Sequence, residues 1–154
     1  MIRLRVPSAL LYRDLAVRAV QAACKLVGES GQGVPPHRDF DDHVVSAFSE
    51  AFNNAAIHSY RDRTPGEIEV EIEPAPDCIT LRLLDRGHTY DIADIPDPDL
   101  DALPESGMGL YIIKSFMDEV RYDPGDVAAG RPNVLTMSKR LAEDQADTEP
   151  KGIK

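Results

Sequence analysis

The hydrophobic pattern of the chain changes period several times, and each change predicts a change of secondary structure. Every second residue is apolar over Glu67–Glu73, and the same alternation returns over Cys78–Asp85 after a turn at Pro74-Ala75-Pro76-Asp77. A period of two residues is typical of strands with one buried face. The pattern therefore predicts an antiparallel hairpin. Shorter alternating segments predict further strands at Ile2–Val6, Glu119–Tyr122 and Val134–Lys139.

Helical periodicity occupies much of the chain between these strands. Apolar residues three or four positions apart predict a helix from a cap at Ser8 to about Val27, a second from about Phe40 to Tyr60, and a third from Gly107 to about Met117. Helices packed on one face of a mostly antiparallel, mixed sheet form an α+β sandwich. The residues expected to face the core are Leu11, Leu15, Ala19, Ala22 and Leu26 in the first helix, Val44, Phe48, Ala51, Phe52 and Ala55 in the second, and Leu110, Ile113 and Met117 in the third.

Length, composition and charge restrict the classes of partner. The 154 residues fit one globular domain, and the formal net charge is −10. Nucleic acid and anionic membranes both favour basic surfaces, so neither is expected as the main partner. The sequence predicts no transmembrane helix and no signal peptide. The isolated Cys24 and Cys78 suit a reducing compartment, so we expect a cytoplasmic protein.

Two segments are biased in composition. Residues 91–106 contain five Asp, one Glu and three Pro, which predicts a long loop. A loop of this length inside a compact domain is often functional, for instance as a lid. Residues 142–154 are polar and charged, and we expect them to form a flexible tail after a single domain spanning residues 1–141.

The first group of residues that could carry chemistry lies in SEAFNNAAIHSY, on the second predicted helix. Glu50 and Asn54 are four positions apart and therefore share one face of a helix, with His58 one turn further. A carboxylate beside a carboxamide oxygen suits a hard cation, or a base next to a metal-bound substrate. Considered alone, the pair fits a solvated surface pair better than a functional site, and His58 fits a structural role better than a functional one.

The second and third groups lie at the two ends of the long loop. Asp85-Arg86-Gly87 ends the predicted hairpin, where Asp85 can accept a hydrogen bond from a ligand and Gly87 permits close approach; an ordinary turn explains the same residues. Ser106-Gly107-Met108-Gly109-Leu110 opens the third helix. Free backbone N–H groups and the helix dipole favour an anion at such a helix start.

The order of these groups along the chain resembles the N, G1 and G2 boxes of the GHKL ATPase superfamily, which includes gyrase and histidine kinases. More narrowly, SEAFNNAAIHSY, LLDRG, ESGMGLYIIKSFMDEVRY and the strand VLTMSK are similar to the bacterial anti-sigma factor serine kinases. The resemblance covers roughly residues 2–141. It implies the GHKL (Bergerat) α/β sandwich, ATP and Mg²⁺ as cofactors, a sigma factor and an anti-anti-sigma (STAS) protein as partners, and commonly a homodimer.

The same resemblance implies a role for each matching residue. Glu50 would be the catalytic base, and Asn54 would bind Mg²⁺. Asp85 would accept a hydrogen bond from the adenine amino group, with Gly87 letting the ring lie close. The phosphates would lie against the backbone of the third helix's start, at Gly107, Met108, Gly109 and Leu110.

The chain departs from the family's pattern in two places. Glu105 stands where some family kinases have an arginine, and Pro132-Asn133-Val134 stands where the closing strand often begins Gly-Thr, with the Thr supporting the adenine pocket. These departures favour an alternative, a module that binds ATP and a protein without transferring phosphate, whereas Glu50 favours the kinase. Arg86 and Lys114 are candidates for replacement positive charge, although surface solvation explains both. The catalytic domain of a sensor kinase is disfavoured, because there is no room for a dimerisation helix pair with a phosphoacceptor histidine.

Overall fold

A computed structural model describes residues 1–28, 38–61, 64–89 and 108–141 of the chain. The predicted lid at 91–106, the predicted tail at 142–154 and Gly107 lie outside the described residues. None of the helices in the described part has both the length and the apolar character needed to cross a membrane.

The described strands form one sheet of five strands, and all of its pairings are antiparallel. The strand order is β1-β2-β3-β5-β4. The predicted hairpin is confirmed as the pair β2–β3, and the other three predicted strands are present. The bounds are β1 Ile2–Pro7, β2 Glu67–Pro74, β3 Cys78–Asp85, β4 Glu119–Asp123 and β5 Asn133–Arg140.

The alternating pattern gives the sheet one apolar and one charged face. Ile68, Val70 and Ile72 of β2 are completely buried under the helices. On the other face, the guanidinium groups of β1 pair across the strands with carboxylates of β2, Arg3 with Glu71 and Arg5 with Glu69, each at 3.1 Å. The solvent-exposed ion pairs contribute little stability, so the buried face carries most of it.

Within the described residues, three α-helices lie on the apolar face, as an α+β sandwich requires. They are α1 Arg13–Cys24, α2 Arg38–Asn54 and α3 Met108–Phe116. The predicted core stripes of the second and third helices are confirmed, because every residue in them is buried. The second helix continues beyond α2 as a π-helical turn, Ala55–Ser59, which the periodicity did not predict.

The predicted inward face of the first helix is wrong. Leu11, Leu15 and Leu26 are 84%, 55% and 48% exposed, whereas Ala16 and Val20 are completely buried. The first helix carries two apolar stripes, and the one with smaller side chains faces α2 and β2. Small residues allow neighbouring helices to approach closely, so the leucines are left on the outer side.

The sheet order places the end of β3 beside the start of β5. The chain leaves β3, forms α3 and β4, and then enters β5, so that Asp85 and Asn133 are directly opposed. The C-terminus of α3 is held by Lys139, whose Nζ donates to the Phe116 carbonyl at 2.7 Å. The Phe116 ring stacks on His43 of α2 with centroids 4.5 Å apart. These contacts hold α3 against α2.

Candidate functional site

Asp85 ends β3 as a buried carboxylate that is only 6% exposed. Its Oδ1 accepts two hydrogen bonds, one from the Gly87 backbone N–H at 2.9 Å and one from Asn133 Nδ2 at 3.0 Å. Both bonds end on the same oxygen. The two hydrogen bonds therefore fix the orientation of the Asp85 carboxyl group, with both internal donors on its Oδ1 side.

Burial is the main influence on the protonation of Asp85. Removal from water disfavours the charged form and raises the pKa of the carboxyl above its usual value, while the hydrogen bonds from Asn133 and Gly87 act in the opposite direction. The Ser59 hydroxyl acts in the same direction as these bonds, although it lacks the geometry of a full hydrogen bond. A buried carboxyl with a perturbed pKa is typical of functional sites.

The π-helical turn packs directly against the loop after β3. The His88 N–H donates to the Ser59 carbonyl, and a Cβ at Gly87 would clash with that same carbonyl. The Ser59 hydroxyl is buried and has no hydrogen-bond partner of good geometry among the described residues. Gly87 is therefore required for packing against this turn, a structural reason separate from the predicted ligand contact.

Tyr60, the residue that follows Ser59, also links the π-helical turn to the loop after β3. Its hydroxyl accepts from the Arg86 N–H at 3.0 Å and donates to the Glu67 carbonyl at 2.8 Å. Arg86 itself is exposed, as is His58 on the π-helical turn. Neither side chain is buried within the site. For Arg86 this agrees with the surface solvation considered above, whereas the structural role considered for His58 stays untested.

Glu50 and Asn54 lie on α2 where the start of α3 approaches it. A Cβ placed on Gly109 would lie 2.8 Å from Glu50 Oε2 and 3.5 Å from Asn54 Oδ1. Both side chains are half-buried. The structure thus brings the first predicted group and the described part of the third group together.

The start of α3 supplies the backbone groups predicted to face an anion. The described part of α3 begins at Met108, and the N–H groups of an α-helix's first turn have no partner within the helix. Leu110 is 4% exposed and packs into the core, so its side chain anchors this turn while its backbone belongs to the helix start. Gly107 lies outside the described residues, and Met108 is half-buried.

The donor set beside Gly109 is compatible with a magnesium ion carried by a phosphate ligand. Mg²⁺ prefers oxygen ligands and is usually held by one or two protein side chains together with substrate phosphates. Asn54 and Glu50 present such oxygens beside a helix start. Within the residues that the structure describes, no cluster of three or more His, Cys, Asp and Glu side chains could hold a metal by itself.

A single helical segment connects the two parts of the site. Glu50 and Asn54 lie in the last two turns of α2, and the segment continues without a break into the π-helical turn that contacts Gly87. Local π-helical geometry occurs frequently at functional sites. One element therefore sets the position of the half-buried carboxylate and amide relative to the buried Asp85.

Comparison with known proteins agrees with this arrangement. The family described as histidine kinase-like ATPase domain matches residues 14–139. The chain belongs to this family.

Among individual relatives, the serine-protein kinase RsbW of Oceanobacillus iheyensis is 27% identical over 156 residues, covering 96% of this chain and 91% of the relative. RsbW of Bacillus licheniformis is 36% identical over 117 residues, covering 71% and 69%. The anti-sigma F factor of Clostridium beijerinckii is 34% identical over 92 residues, covering 57% and 64%. Within the ATPase family, the chain thus belongs with the RsbW serine-protein kinases.

Two residues of the site were not among the predicted site residues. Ser59 lies in a segment with helical periodicity, and nothing in the sequence distinguishes it from an ordinary helical serine. Asn133 is a polar residue at an inward position of a strand whose other inward residues, Leu135 and Met137, are apolar. Two signals for Asn133 were available: a buried amide in such a position requires hydrogen-bond partners, and Pro132-Asn133-Val134 stands where the family's Gly-Thr supports the adenine pocket.

Proposed function

We propose that the protein is an ATP-dependent serine/threonine kinase and anti-sigma factor. The observation that carries the proposal is the close approach of Gly109 to Glu50 and Asn54. A Cβ placed on Gly109 would lie 2.8 Å from the Glu50 carboxylate. This approach places the proposed general base Glu50 and the proposed metal ligand Asn54 beside a helix start that suits phosphate. Membership of the RsbW serine-protein kinases supports the same activity.

Asp85 recognises the adenine base in this proposal. Its carboxylate is buried and can accept a hydrogen bond from the exocyclic amino group of adenine. Guanine presents an oxygen at the equivalent position, which a carboxylate repels. Ser59, whose hydroxyl lacks a well-placed partner, offers a second polar contact beside it.

The triphosphate lies at the start of α3. The N–H groups around Gly109 and the helix dipole attract the phosphate oxygens. Asn54 would hold Mg²⁺ through Oδ1, and the ion would supply neutralisation of phosphate charge. The loop at 91–106, which lies outside the described residues, is proposed as the lid over this site.

Glu50 is the proposed catalytic base. As the acceptor hydroxyl oxygen of a serine or threonine bonds to the γ-phosphorus, the hydroxyl proton passes to the Glu50 carboxylate. The bond from the γ-phosphorus to the bridging oxygen breaks, and ADP leaves with that oxygen. Positioning and charge neutralisation provide most of the catalysis in phosphoryl transfer, so this small set of groups suffices.

The proposed partners are a sigma factor, which the protein sequesters, and an STAS-domain protein, whose serine or threonine it phosphorylates. The name of the Clostridium beijerinckii relative, anti-sigma F factor, supports the first partner. We further propose that the protein acts in the cytoplasm as a homodimer, without direct contact to nucleic acid or membrane.

Transfer of labelled γ-phosphate to a co-purified STAS protein tests the proposal, using Glu50→Gln as the decisive variant. Loss of a positioned base lowers the rate by about 10²–10⁴-fold. ATP affinity should be close to that of the wild type, since the glutamine has the same shape. Glu119→Gln is the matched control, because this residue is exposed on β4, and it should transfer phosphate at the wild-type rate.

The possible results separate the kinase from the binding module. A wild-type chain that binds ATP and changes its affinity for a partner, yet transfers no phosphate, supports the module without phosphotransfer. Transfer that continues at the wild-type rate in Glu50→Gln supports a kinase but removes Glu50 as its base.

A further inference from the structure

Asn133 occupies the centre of a buried hydrogen-bond network at the start of β5 and is 1% exposed. Its Oδ1 accepts from the Gly125 N–H at 2.8 Å. Its Nδ2 approaches three oxygens, Asp85 Oδ1 at 3.0 Å, the Gly87 carbonyl at 3.2 Å and the His88 carbonyl at 3.4 Å. The amide thus contacts both the carboxylate and the loop that follows it.

The cost of burying a polar group indicates that this position has a purpose beyond packing. The next two inward positions of β5, Leu135 and Met137, are apolar members of the core. An amide transferred from water needs hydrogen bonds to offset its desolvation, whereas an apolar residue needs none. Asn133 makes the shortest of its Nδ2 bonds to the one buried carboxylate among the described residues, that of Asp85.

The Gly125 hydrogen bond determines which end of the amide faces Asp85. Because a backbone N–H can only donate, it selects Oδ1 of Asn133 and leaves Nδ2 for the carboxylate. The loop that presents Gly125 is closed by two backbone hydrogen bonds between Asp126 and Arg131, at 2.9 and 3.0 Å. The loop between β4 and β5 therefore orients the amide.

We propose that Asn133 is a positioning residue for base recognition, which holds Asp85 Oδ1 and thereby presents Oδ2 to the amino group of an adenine nucleotide. This inference rests on the proposed ATP site. Two donors already converge on Oδ1, and they restrict rotation of the carboxyl group. Oδ2 remains as the acceptor for the base. Asn133 itself acts through Asp85 and requires no contact with the nucleotide.

Calorimetric titration of the purified chain with ATP and with GTP tests this assignment. For Asn133→Ala we expect ATP affinity to fall by about tenfold, as for the loss of one buried hydrogen bond to a charged group. GTP affinity should not change, so the preference for ATP should fall by the same factor. Thr136→Ala is the matched control, since Thr136 lies on the same strand but on the opposite face of the sheet.

A double-variant cycle with Asp85→Asn distinguishes positioning from general support of the pocket. If Asn133 acts only through Asp85, Asn133→Ala should cause no further loss of ATP affinity in the Asp85→Asn background. Asn133→Thr keeps a hydroxyl donor and suits a strand, and it should retain more of the ATP preference than Asn133→Ala. It also carries the test if the alanine variant does not fold.

The outcomes are distinct for the inference and for the function on which it rests. Equal losses for ATP and GTP, additive losses in the cycle, or a folded Asn133→Thr that loses all preference for ATP would each overturn the positioning role while leaving an ATP site. A wild-type chain that binds no ATP would overturn the proposed function, and the positioning role with it.

Discussion

Gly109 and Glu50 face each other across the α2–α3 interface so closely that a Cβ on the glycine would lie 2.8 Å from the Glu50 Oε2 atom. Helical glycine is unfavourable by about 1 kcal/mol relative to alanine, so a glycine in α3 needs a compensating reason. Close approach of the helix start to a carboxylate provides it. The candidate base is consequently held beside the backbone that would bind phosphate.

Gly109→Ala should separate activity from stability. The added methyl group displaces the flexible end of Glu50, while the helix gains propensity, so the free energy of unfolding should stay within about 1 kcal/mol of the wild-type value. Phosphate transfer should fall by about 10²-fold, the usual cost of a misplacement of about 1 Å at a reacting centre. Urea unfolding and labelled-phosphate transfer measure the two effects. Wild-type transfer by this variant would show that the Gly109–Glu50 contact has no part in catalysis.

Gly87→Ala provides the matched contrast, because its new Cβ meets backbone rather than a side-chain end. The Ser59 carbonyl cannot move without displacing the π-helical turn. The free energy of unfolding should therefore fall by about 1–3 kcal/mol.

Asp85→Asn should change stability and ATP affinity in opposite directions. An asparagine whose oxygen replaces Oδ1 keeps both internal hydrogen bonds, and it places a donor where Oδ2 accepted. ATP affinity should fall about tenfold or more, as for the loss of a charge-assisted hydrogen bond. The removal of a buried charge should leave the variant at least as stable as the wild type at neutral pH. Marked destabilisation there would contradict the shared use of Oδ1.

The stability difference between the wild type and Asp85→Asn should also depend on pH. Because the folded pKa of Asp85 is raised, the folded chain binds more protons than the unfolded chain between the ordinary value of 3.8 and the folded value. The wild type therefore loses stability from this group as pH rises through that window. The substituted amide does not titrate, so the advantage of the variant should grow across the same window, as urea unfolding at several pH values would measure.

Asn54→Ala should abolish the strengthening of ATP binding by Mg²⁺, because the variant lacks the amide oxygen proposed to hold the ion. Calorimetric titrations with and without Mg²⁺ measure this dependence. Asn53→Ala is the matched control, since its amide oxygen instead accepts from Arg13 at 3.3 Å. A Mg²⁺ effect of wild-type size in Asn54→Ala would remove Asn54 as the ligand.

The two faces of α1 should respond differently to truncation. Val20→Ala removes two buried methyl groups and should lower the free energy of unfolding by about 2 kcal/mol. Leu15→Ala removes more carbon atoms but from an exposed side chain, and its effect should stay within about 0.5 kcal/mol. Urea unfolding of both variants gives the comparison. A larger loss for Leu15→Ala would show that the leucine face is covered.

Local periodicity and the order of motifs were enough to predict several features before any tertiary contact was known. The alternation over Glu67–Glu73 and Cys78–Asp85 predicted the hairpin, and the stripe containing Val44 and Phe48 predicted the buried face of α2. The spacing of Glu50 and Asn54 also predicted a shared helix face. These features were accessible because each depends on residues within a few positions of one another.

Helix packing and strand order determined the features that the local pattern left open, namely the buried face of α1 and the partner of Asp85. Two apolar stripes on α1 were equally periodic, and only packing against α2 selected the smaller residues. The partner of Asp85 is 48 positions away, and the β3–β5 register alone brings Asn133 opposite it. Local pattern records which side chains favour burial or hydrogen bonding, but the strand order and helix packing determine the partners that satisfy them.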